Sequence, residues 1–220
     1  MGPSQSTRQN PRSMTRTYTR PSIHCHHVAI QTRQLRRPRP RQRYPPPEFT
    51  LKTKPSTDIW CKPPSTTRFN APILYQSMPI KSFRRARVAI NAAWKDKYDQ
   101  GGLILVLKKQ DGTQKWVKTG IELTHGRPHL SVVAKDHWAD WSLCPVPSGG
   151  GAATLEMVRE SDGSLWIYLV EGVQKSPIRE VTWVFDGEEE VSECWVGVYA
   201  AKPASEGGDL GVHFGHLVIE

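Results

Sequence analysis

Three apolar runs in the middle of the chain, at residues 103–107, 116–123 and 130–134, predict three consecutive β-strands. Turn signals separate them. Asp111-Gly112 follows the first run, and His125-Gly126 ends the second. Glycine in such pairs supplies the positive φ angles that tight hairpin turns need. We therefore expect an antiparallel meander at the centre of a sheet.

The middle run alternates in polarity, and successive side chains of a strand point to opposite faces. One face is apolar enough to pack in a core, while the other carries an indole, an ammonium and a carboxylate around a glycine. That second face predicts either a binding surface, if it lines a concavity, or a half-solvated outer face with an incidental Lys/Glu pair. The first set is Val117, Thr119, Ile121 and Leu123, and the second is Trp116, Lys118, Gly120 and Glu122.

Similar runs along the rest of the body predict an all-β domain. A Ser161–Ser164 turn containing Asp-Gly predicts a hairpin, and residues 145–151 and the segment around Pro177 are interpreted as linkers. About ten short strands, frequent turn signals and no long helical pattern indicate a jelly-roll β-sandwich of two antiparallel sheets. The further predicted strands lie at residues 49–53, 57–60, 73–75, 83–93, 155–160, 165–170, 181–185, 195–201 and 210–219.

Charge is distributed unevenly along the chain. The net charge of +9 comes from residues 1–47, which contain ten Arg and no Asp, Glu or Lys. The remaining 173 residues hold 20 Lys and Arg against 21 Asp and Glu, a net charge of −1. Because a nucleic-acid-binding domain is expected to carry its own basic face, we expect no specific nucleic-acid partner. Salt-sensitive binding of the basic segment to RNA, DNA or an anionic membrane stays open.

Residues 1–47 are rich in Arg, Pro, Ser, Thr and Gln, so we expect a disordered tail ahead of a folded domain at 48–220. The basic, acid-free start is also typical of a mitochondrial presequence, but Pro3, Pro11 and Pro21 would interrupt its helix. No apolar run is long enough for a membrane span. The cytoplasm is therefore the expected location, with the mitochondrion as the alternative.

Four cysteines without CxxC spacing predict buried free thiols rather than a disulfide framework. His24-Cys25-His26-His27 matches no common zinc spacing. We therefore expect no metal site and no other cofactor.

Six short motifs occur in one order and together cover roughly residues 49–220. They resemble the fungal and bacterial family of uncharacterised concanavalin-A-like domains that includes the yeast "regulation of enolase" protein. The chain departs from that family before the first motif, where an Arg/Pro-rich segment replaces a Trp-containing strand. The motifs are TDIW at 57–60, YDQGGL at 98–103, WVKTGIE at 116–122, LSVV at 130–133, DWS at 140–142 and GVYAAKP at 197–203.

The resemblance implies a cytosolic sandwich of the lectin/glucanase type with no settled reaction. It implies as partners a carbohydrate ligand or a glycolytic enzyme such as enolase. Lectin/glucanase sandwiches bind sugars on the concave sheet through aromatic rings and polar side chains. The alternative role of the tryptophans is core packing. The candidate ligand-binding residues are Trp60, Tyr98, Gln100, Trp116, Lys118, Glu122, Asp140 and Trp141.

Catalysis is the second hypothesis. A glycosidase needs two carboxyl groups roughly 5–9 Å apart across the scissile bond. The Glu-x-Asp-x-x-Glu pattern of related glucanases is absent. Glu122 could instead pair with Asp58, Asp99 or Asp140 from neighbouring strands. We predict a non-catalytic sandwich that binds a partner protein, carbohydrate or metabolite, and keep a carbohydrate-active hydrolase using Glu122 as the alternative.

Overall fold

A computed structural model describes Gly2, the backbone of residues 32–34, and residues 46–220. Within these residues the regular structure is β-strand, with two short 3₁₀ turns at Ile80–Ser82 and Glu188–Glu190. The strands are β1 Thr32–Gln34, β2 Glu48–Thr53, β3 Ile59–Lys62, β4 Thr66–Phe69, β5 Ile73–Met78, β6 Arg85–Ala92, β7 Gln100–Lys109, β8 Gln114–Thr124, β9 Arg127–Lys135, β10 Ala139–Pro145, β11 Ala152–Arg159, β12 Leu165–Glu171, β13 Gln174–Val181, β14 Val191–Ala201 and β15 Leu210–Ile219.

The strands form two large sheets, which confirms the predicted all-β sandwich. The seven-stranded sheet has the order β1-β5-β14-β7-β8-β9-β10, and the six-stranded sheet has the order β13-β12-β11-β6-β15-β2. Strands β3 and β4 form a separate hairpin. Strand β1 pairs in parallel with β5, whereas the other named strand pairs are antiparallel.

The predicted meander is confirmed as β7, β8 and β9, which lie side by side in the seven-stranded sheet. The β8–β9 connection has two residues, His125 and Gly126, with φ angles of 51° and 74°. Both central residues of a type I′ hairpin turn need positive φ, and this turn follows the right-handed twist of the strands. The turn therefore fixes the register in which Glu122 faces His129.

The main core lies between the two sheets. Val117 and Ile121 of β8 are buried, as the alternation predicted. Residues from both sheets join one buried apolar cluster, among them Leu105, Val117, Val132, Val196, Val88, Leu155, Ile167 and Phe214.

A second apolar cluster covers the opposite, outer face of the seven-stranded sheet. The β3–β4 hairpin supplies Ile59 and Cys61 to it, and the sheet supplies residues such as Trp116. Ile59 and Cys61 share one face of β3, because they are two residues apart. This hairpin therefore acts as a cover over the face on which the candidate residues lie.

Residues 139–145, for which no strand was predicted, form strand β10 at the edge of the seven-stranded sheet. Two predictions are wrong, namely the linker around Pro177 and the strand at 181–185. Strand β13 runs through Pro177 and ends at Val181, while residues 182–187 form turns. Proline is tolerated there because β13 is an edge strand and the pairing shifts by one residue beside it. Val181, Val184 and Phe185 of the run at 181–185 are buried in the core, but Val184 and Phe185 reach it from a turn.

The cysteine prediction is confirmed for Cys61 and Cys194, which are buried free thiols, and is wrong for Cys144, which is exposed on β10. Burial raises the pKa of the Cys194 thiol to about 12. Cys25, and with it most of the predicted tail, lies outside the described residues. Among the described residues, no helix is both long enough and apolar enough to cross a membrane.

Candidate functional site

Strand register brings three predicted polar residues together on the outer face of the seven-stranded sheet. Gln100 of β7 lies directly opposite Glu122 of β8. Lys118, four residues before Glu122, donates a 2.6 Å hydrogen bond from Nζ to Oε1 of Gln100. Nε2 of Gln100 in turn donates to the carbonyl oxygen of Tyr98 at 3.2 Å. One hydrogen-bonded set therefore links β7, β8 and the loop that precedes β7.

Glu122 is joined to an aromatic group through a serine. Ser131 Oγ donates to Oε2 of Glu122 at 2.8 Å, and Nε1 of Trp141 donates to Ser131 Oγ at 3.0 Å. The ring of Trp141 makes edge contacts with Trp60 at 5.9 Å and with Tyr98 at 6.1 Å between centroids. We call Gln100, Lys118, Glu122 and Ser131, together with Asp58, the outer polar cluster. Trp60, Tyr98 and Trp141 form the aromatic rim, which is half-buried.

Tyr98 has a φ angle of 71°, which places it in the left-handed region. Bulky residues adopt this conformation rarely, and it costs of order 1–3 kcal/mol. Hydrogen bonds hold it, since the Tyr98 amide donates to the Leu123 carbonyl at 2.6 Å and the Leu123 amide donates to the Asp99 carbonyl at 2.9 Å. The strained conformation directs the Tyr98 ring towards Trp141 and its carbonyl towards Gln100.

Two glycines form the floor between the polar residues. Gly102 of β7 and Gly120 of β8 lie directly opposite one another. A Cβ atom on Gly120 would lie 2.0 Å from the carbonyl oxygen of Gly101, and one on Gly102 would lie 1.9 Å from that of Thr119. Only glycine permits so close an approach of the two strands.

The outer polar cluster is buried, which contradicts the interpretation of this face as half-solvated, whereas its role in binding stays a prediction. The exposed fractions of Gln100 and Lys118 are 2%, and that of Glu122 is 5%. The β3–β4 hairpin and the aromatic rim cover them. The Lys118 ammonium also lies 5.4 Å from the ring centroid of Tyr199, which is a cation–π geometry.

Burial and charge act against each other in this cluster. Burial lowers the pKa of Lys118, while the charges of Asp58 and Glu122 raise it. Burial raises the pKa of Glu122, while Lys118 and the hydrogen bond from Ser131 lower it. Burial likewise raises the pKa of Asp58, and the Lys118 charge opposes that shift. Burial therefore raises the pKa of both carboxyl groups, and the Lys118 charge is the largest influence that opposes this rise.

The structure distinguishes among the three carboxylates that were considered as partners for Glu122. Asp58 interacts electrostatically with Glu122 and raises its pKa. Asp99 instead forms a buried ion pair with Lys202 at 3.4 Å. The predicted site residue Asp140 is not part of the cluster. It is exposed and pairs with Arg179 of β13, because adjacent residues of a strand point to opposite faces and its neighbour Trp141 faces the rim.

Asp58 enters the cluster from the base of the hairpin. Its Oδ1 accepts a 2.8 Å hydrogen bond from the Ile59 amide, and its own amide donates to Oδ1 of Asn70 at 2.8 Å. Trp116 is buried, as expected of a tryptophan that packs in a core. It also lies beside the polar cluster, with its ring centroid 5.9 Å from the Lys118 ammonium.

Sequence reasoning missed Ser131 and Tyr199 as members of the site. The signal for Ser131 is parity, because Leu130 and Val132 face the main core and Ser131 must therefore face outwards with Glu122. Parity also places Tyr199 on the same face of β14 as Gly197, two residues earlier. Only the pairing of Tyr199 with Gly102 shows that it borders the glycine floor. Within the described residues, no group of three or more His, Cys, Asp or Glu side chains is placed to hold a metal ion.

Comparison with known proteins shows where this arrangement belongs. A model of the family described as "Protein of unknown function (DUF1349)" matches residues 36–220. The chain belongs to this family. The match begins earlier than the resemblance at 49–220 predicted. It confirms an uncharacterised family, whereas the link to enolase stays a prediction.

The chain is also similar to individual proteins. A protein of Emericella nidulans described as "Uncharacterized protein AN7484" is 70% identical over 175 residues, which cover 80% of this chain and 87% of that protein. A crystal structure of a functionally unknown protein from Saccharomyces cerevisiae is 26% identical, with a TM-score of 0.65 and coverage of 79% and 88%. A solved protein described as "Bacteroides ovatus Xyloglucan PUL GH43B" is 12% identical, with a TM-score of 0.52 and coverage of 78% of this chain and 32% of its own, and shows the shared fold alone.

Proposed function

We propose that the protein binds a carbohydrate at the aromatic rim, without catalysing a reaction on it. The observation that carries the proposal is the connected series Trp141–Ser131–Glu122, in which a half-buried indole is linked through the Ser131 hydroxyl to a buried carboxylate. Aromatic side chains offer an apolar surface with a polar edge, which suits a ligand that has both CH and OH groups. The buried polar groups beneath the rim hold it in place, because Ser131 accepts a hydrogen bond from the Trp141 indole and Gln100 donates one to the Tyr98 carbonyl.

Two further features support this proposal. Tyr98 is held in a costly conformation beside Trp141, and such strain concentrates at ligand-binding positions. The shared fold with a protein named for xyloglucan is compatible with a carbohydrate ligand. A regulatory role through a glycolytic partner such as enolase rests on the sequence resemblance alone and stays a prediction.

Replacing Trp141 by Ala is expected to weaken carbohydrate binding by roughly thirtyfold, equivalent to about 2 kcal/mol, because a central aromatic contact of this kind commonly contributes that much. Binding is measured by a glycan array on the full chain and then by calorimetry with the oligosaccharides found.

The matched control is Trp183→Ala, which removes a half-buried indole that contacts Lys115 instead of the rim. It should leave the affinity unchanged. Equal loss of affinity in both variants, or no glycan bound by the wild-type protein, would refute the proposal.

A hydrolase is the second candidate, and one observation favours it. Asp58 and Glu122 interact within one buried cluster, and burial raises the pKa of each. A carboxyl group that keeps its proton near neutral pH can act as a general acid. Lys118 argues against this role, because its charge opposes the rise in the pKa of both carboxyl groups.

We therefore expect no turnover of 4-nitrophenyl glycosides of glucose, xylose and galactose, monitored by released nitrophenolate. Turnover that disappears in Glu122→Gln and in Asp58→Asn, while Trp183→Ala retains it, would establish the hydrolase in place of simple binding.

A further inference from the structure

A groove of about 690 Å³ crosses the outer face of the six-stranded sheet, on the side of the molecule away from the aromatic rim. Its size lies within the range of small-molecule sites, about 300–1,000 Å³. Strands β2, β15, β6 and β11 contribute to it side by side. Four adjacent strands span roughly 14 Å at ~4.8 Å per interval. The groove is therefore long enough for a short chain of sugar units.

Strand register explains why a depression forms there. One row across the sheet pairs Thr154 with Ala89 and Ala89 with Gly215. Because alanine and glycine project little above the sheet, this row is low. The next row pairs Asn91 with His213 and His213 with Thr50, and its side chains stand higher.

A β-bulge shapes one end of the groove. Between Gly215 and Val218, β15 carries one residue more than the opposite segment of β6. His216 lies in this bulge with a φ angle of 53°, and its amide donates a 2.8 Å hydrogen bond to the Pro47 carbonyl. Bulges redirect side chains and occur often beside binding sites. The bulge places His216 at the groove wall next to Glu48.

The lining combines apolar and polar side chains and carries one charged group. Oγ1 of Thr50 and Nδ1 of His213 share a 2.8 Å hydrogen bond, which orients both side chains. Among residues 46–220, the side chains of Asn91, Thr154 and His216 have no protein hydrogen-bonding partner, so they can pair with a ligand. The described lining contains one carboxylate, that of Glu48, and no Lys or Arg. A phosphate or another anion is therefore a poor match.

We propose that this groove is a second carbohydrate site, which takes a short linear neutral oligosaccharide. Hydroxyl groups pair with the amide of Asn91, the hydroxyl groups of Thr50 and Thr154, and the ring of His213. The CH faces of the sugar rings lie on the alanine and glycine floor. This site does not depend on the aromatic rim, so each can be present without the other.

The experiment follows the backbone amide signals of the full chain by NMR during titration with xylotetraose, cellotetraose and laminaritetraose at millimolar concentrations. The signals of residues 89–91 and 213–216 are expected to shift with at least one of the three. Ala89→Trp, which fills the floor, should abolish these shifts, and Asn91→Ala with His213→Ala should weaken binding at least tenfold.

Trp141→Ala is the control, because it alters the aromatic rim and should leave the groove shifts intact. The proposal is overturned if none of the three sugars moves the groove signals, if the shifts persist in Ala89→Trp, or if the shifts occur only around residues 98–141. The last outcome would support the rim site while removing this one.

Discussion

Replacing Lys118 by Met is expected to destabilise the protein at pH 7 by about 3 kcal/mol, because removing one member of a buried charged group leaves the others uncompensated. Lys118 is 2% exposed, and its charge is the largest influence that opposes the burial-driven rise in the pKa of Asp58 and Glu122. Methionine has a similar volume, so the loss reports on charge more than on packing. Urea or thermal unfolding of the variant and the wild type measures the difference.

The stability that Lys118→Met loses is expected to grow with pH, because burial raises the pKa of the two carboxyl groups. Burial holds the pKa values of Asp58 and Glu122 above their ordinary values, and removing Lys118 raises them further. A carboxyl group whose folded-state pKa is raised contributes stability below its unfolded pKa, about 4, and loses that contribution as pH rises through the folded pKa. The gap between Lys118→Met and the wild type should therefore be small near pH 4 and grow towards pH 7.

A second substitution tests the cause. Lys118→Met with Glu122→Gln removes one of the uncompensated charges, so it should recover part of the stability that Lys118→Met loses at pH 7. Glu122→Gln alone supplies the reference for the cycle. If the loss of stability is equal at pH 4 and pH 7, and the double variant recovers none of it, the Lys118 side chain stabilises the protein through packing instead of charge.

Local periodicity was enough to predict the part of the site that lies on one strand. Lys118 and Glu122 share a face with Trp116 because the strand period is two, and the structure keeps that parity. The meander followed from its turn residues in the same way. The prediction of Asp140 as a site residue is wrong for a related reason. Asp140 and Trp141 are adjacent on β10, so their side chains point to opposite faces and cannot both border the site.

Features that depend on distant segments could not be read from the sequence. The β3–β4 hairpin covers the outer face because the face that carries Ile59 packs in one apolar cluster with Trp116. Ile59 and Trp116 are more than fifty residues apart along the chain. The approach of Asp58 to Glu122 depends on the same contact. Pro177 argued against a strand, and the argument fails because β13 is an edge, which only the strand order reveals.

Substituting Gly120 by Ala is expected to cause the largest loss of stability, because the added Cβ would lie 2.0 Å from the Gly101 carbonyl oxygen. That atom belongs to the backbone of a central strand and cannot rotate away, so β7 and β8 must separate where they border the outer polar cluster. Overpacking of this kind costs about 1–3 kcal/mol, and more when backbone must move. We expect a loss above about 3 kcal/mol or failure to fold, together with exchange of the β7 and β8 amides at a faster rate.

The same substitution at Gly208 is the matched control, because a Cβ there has no heavy atom within 4 Å. The free energy of unfolding of Gly208→Ala should lie within about 0.5 kcal/mol of the wild-type value. Equal stability of the two variants would mean that β7 and β8 can move apart at low cost. The glycine floor would then be a flexible element, and Gln100 and Glu122 would not be held opposite one another by the strands that carry them.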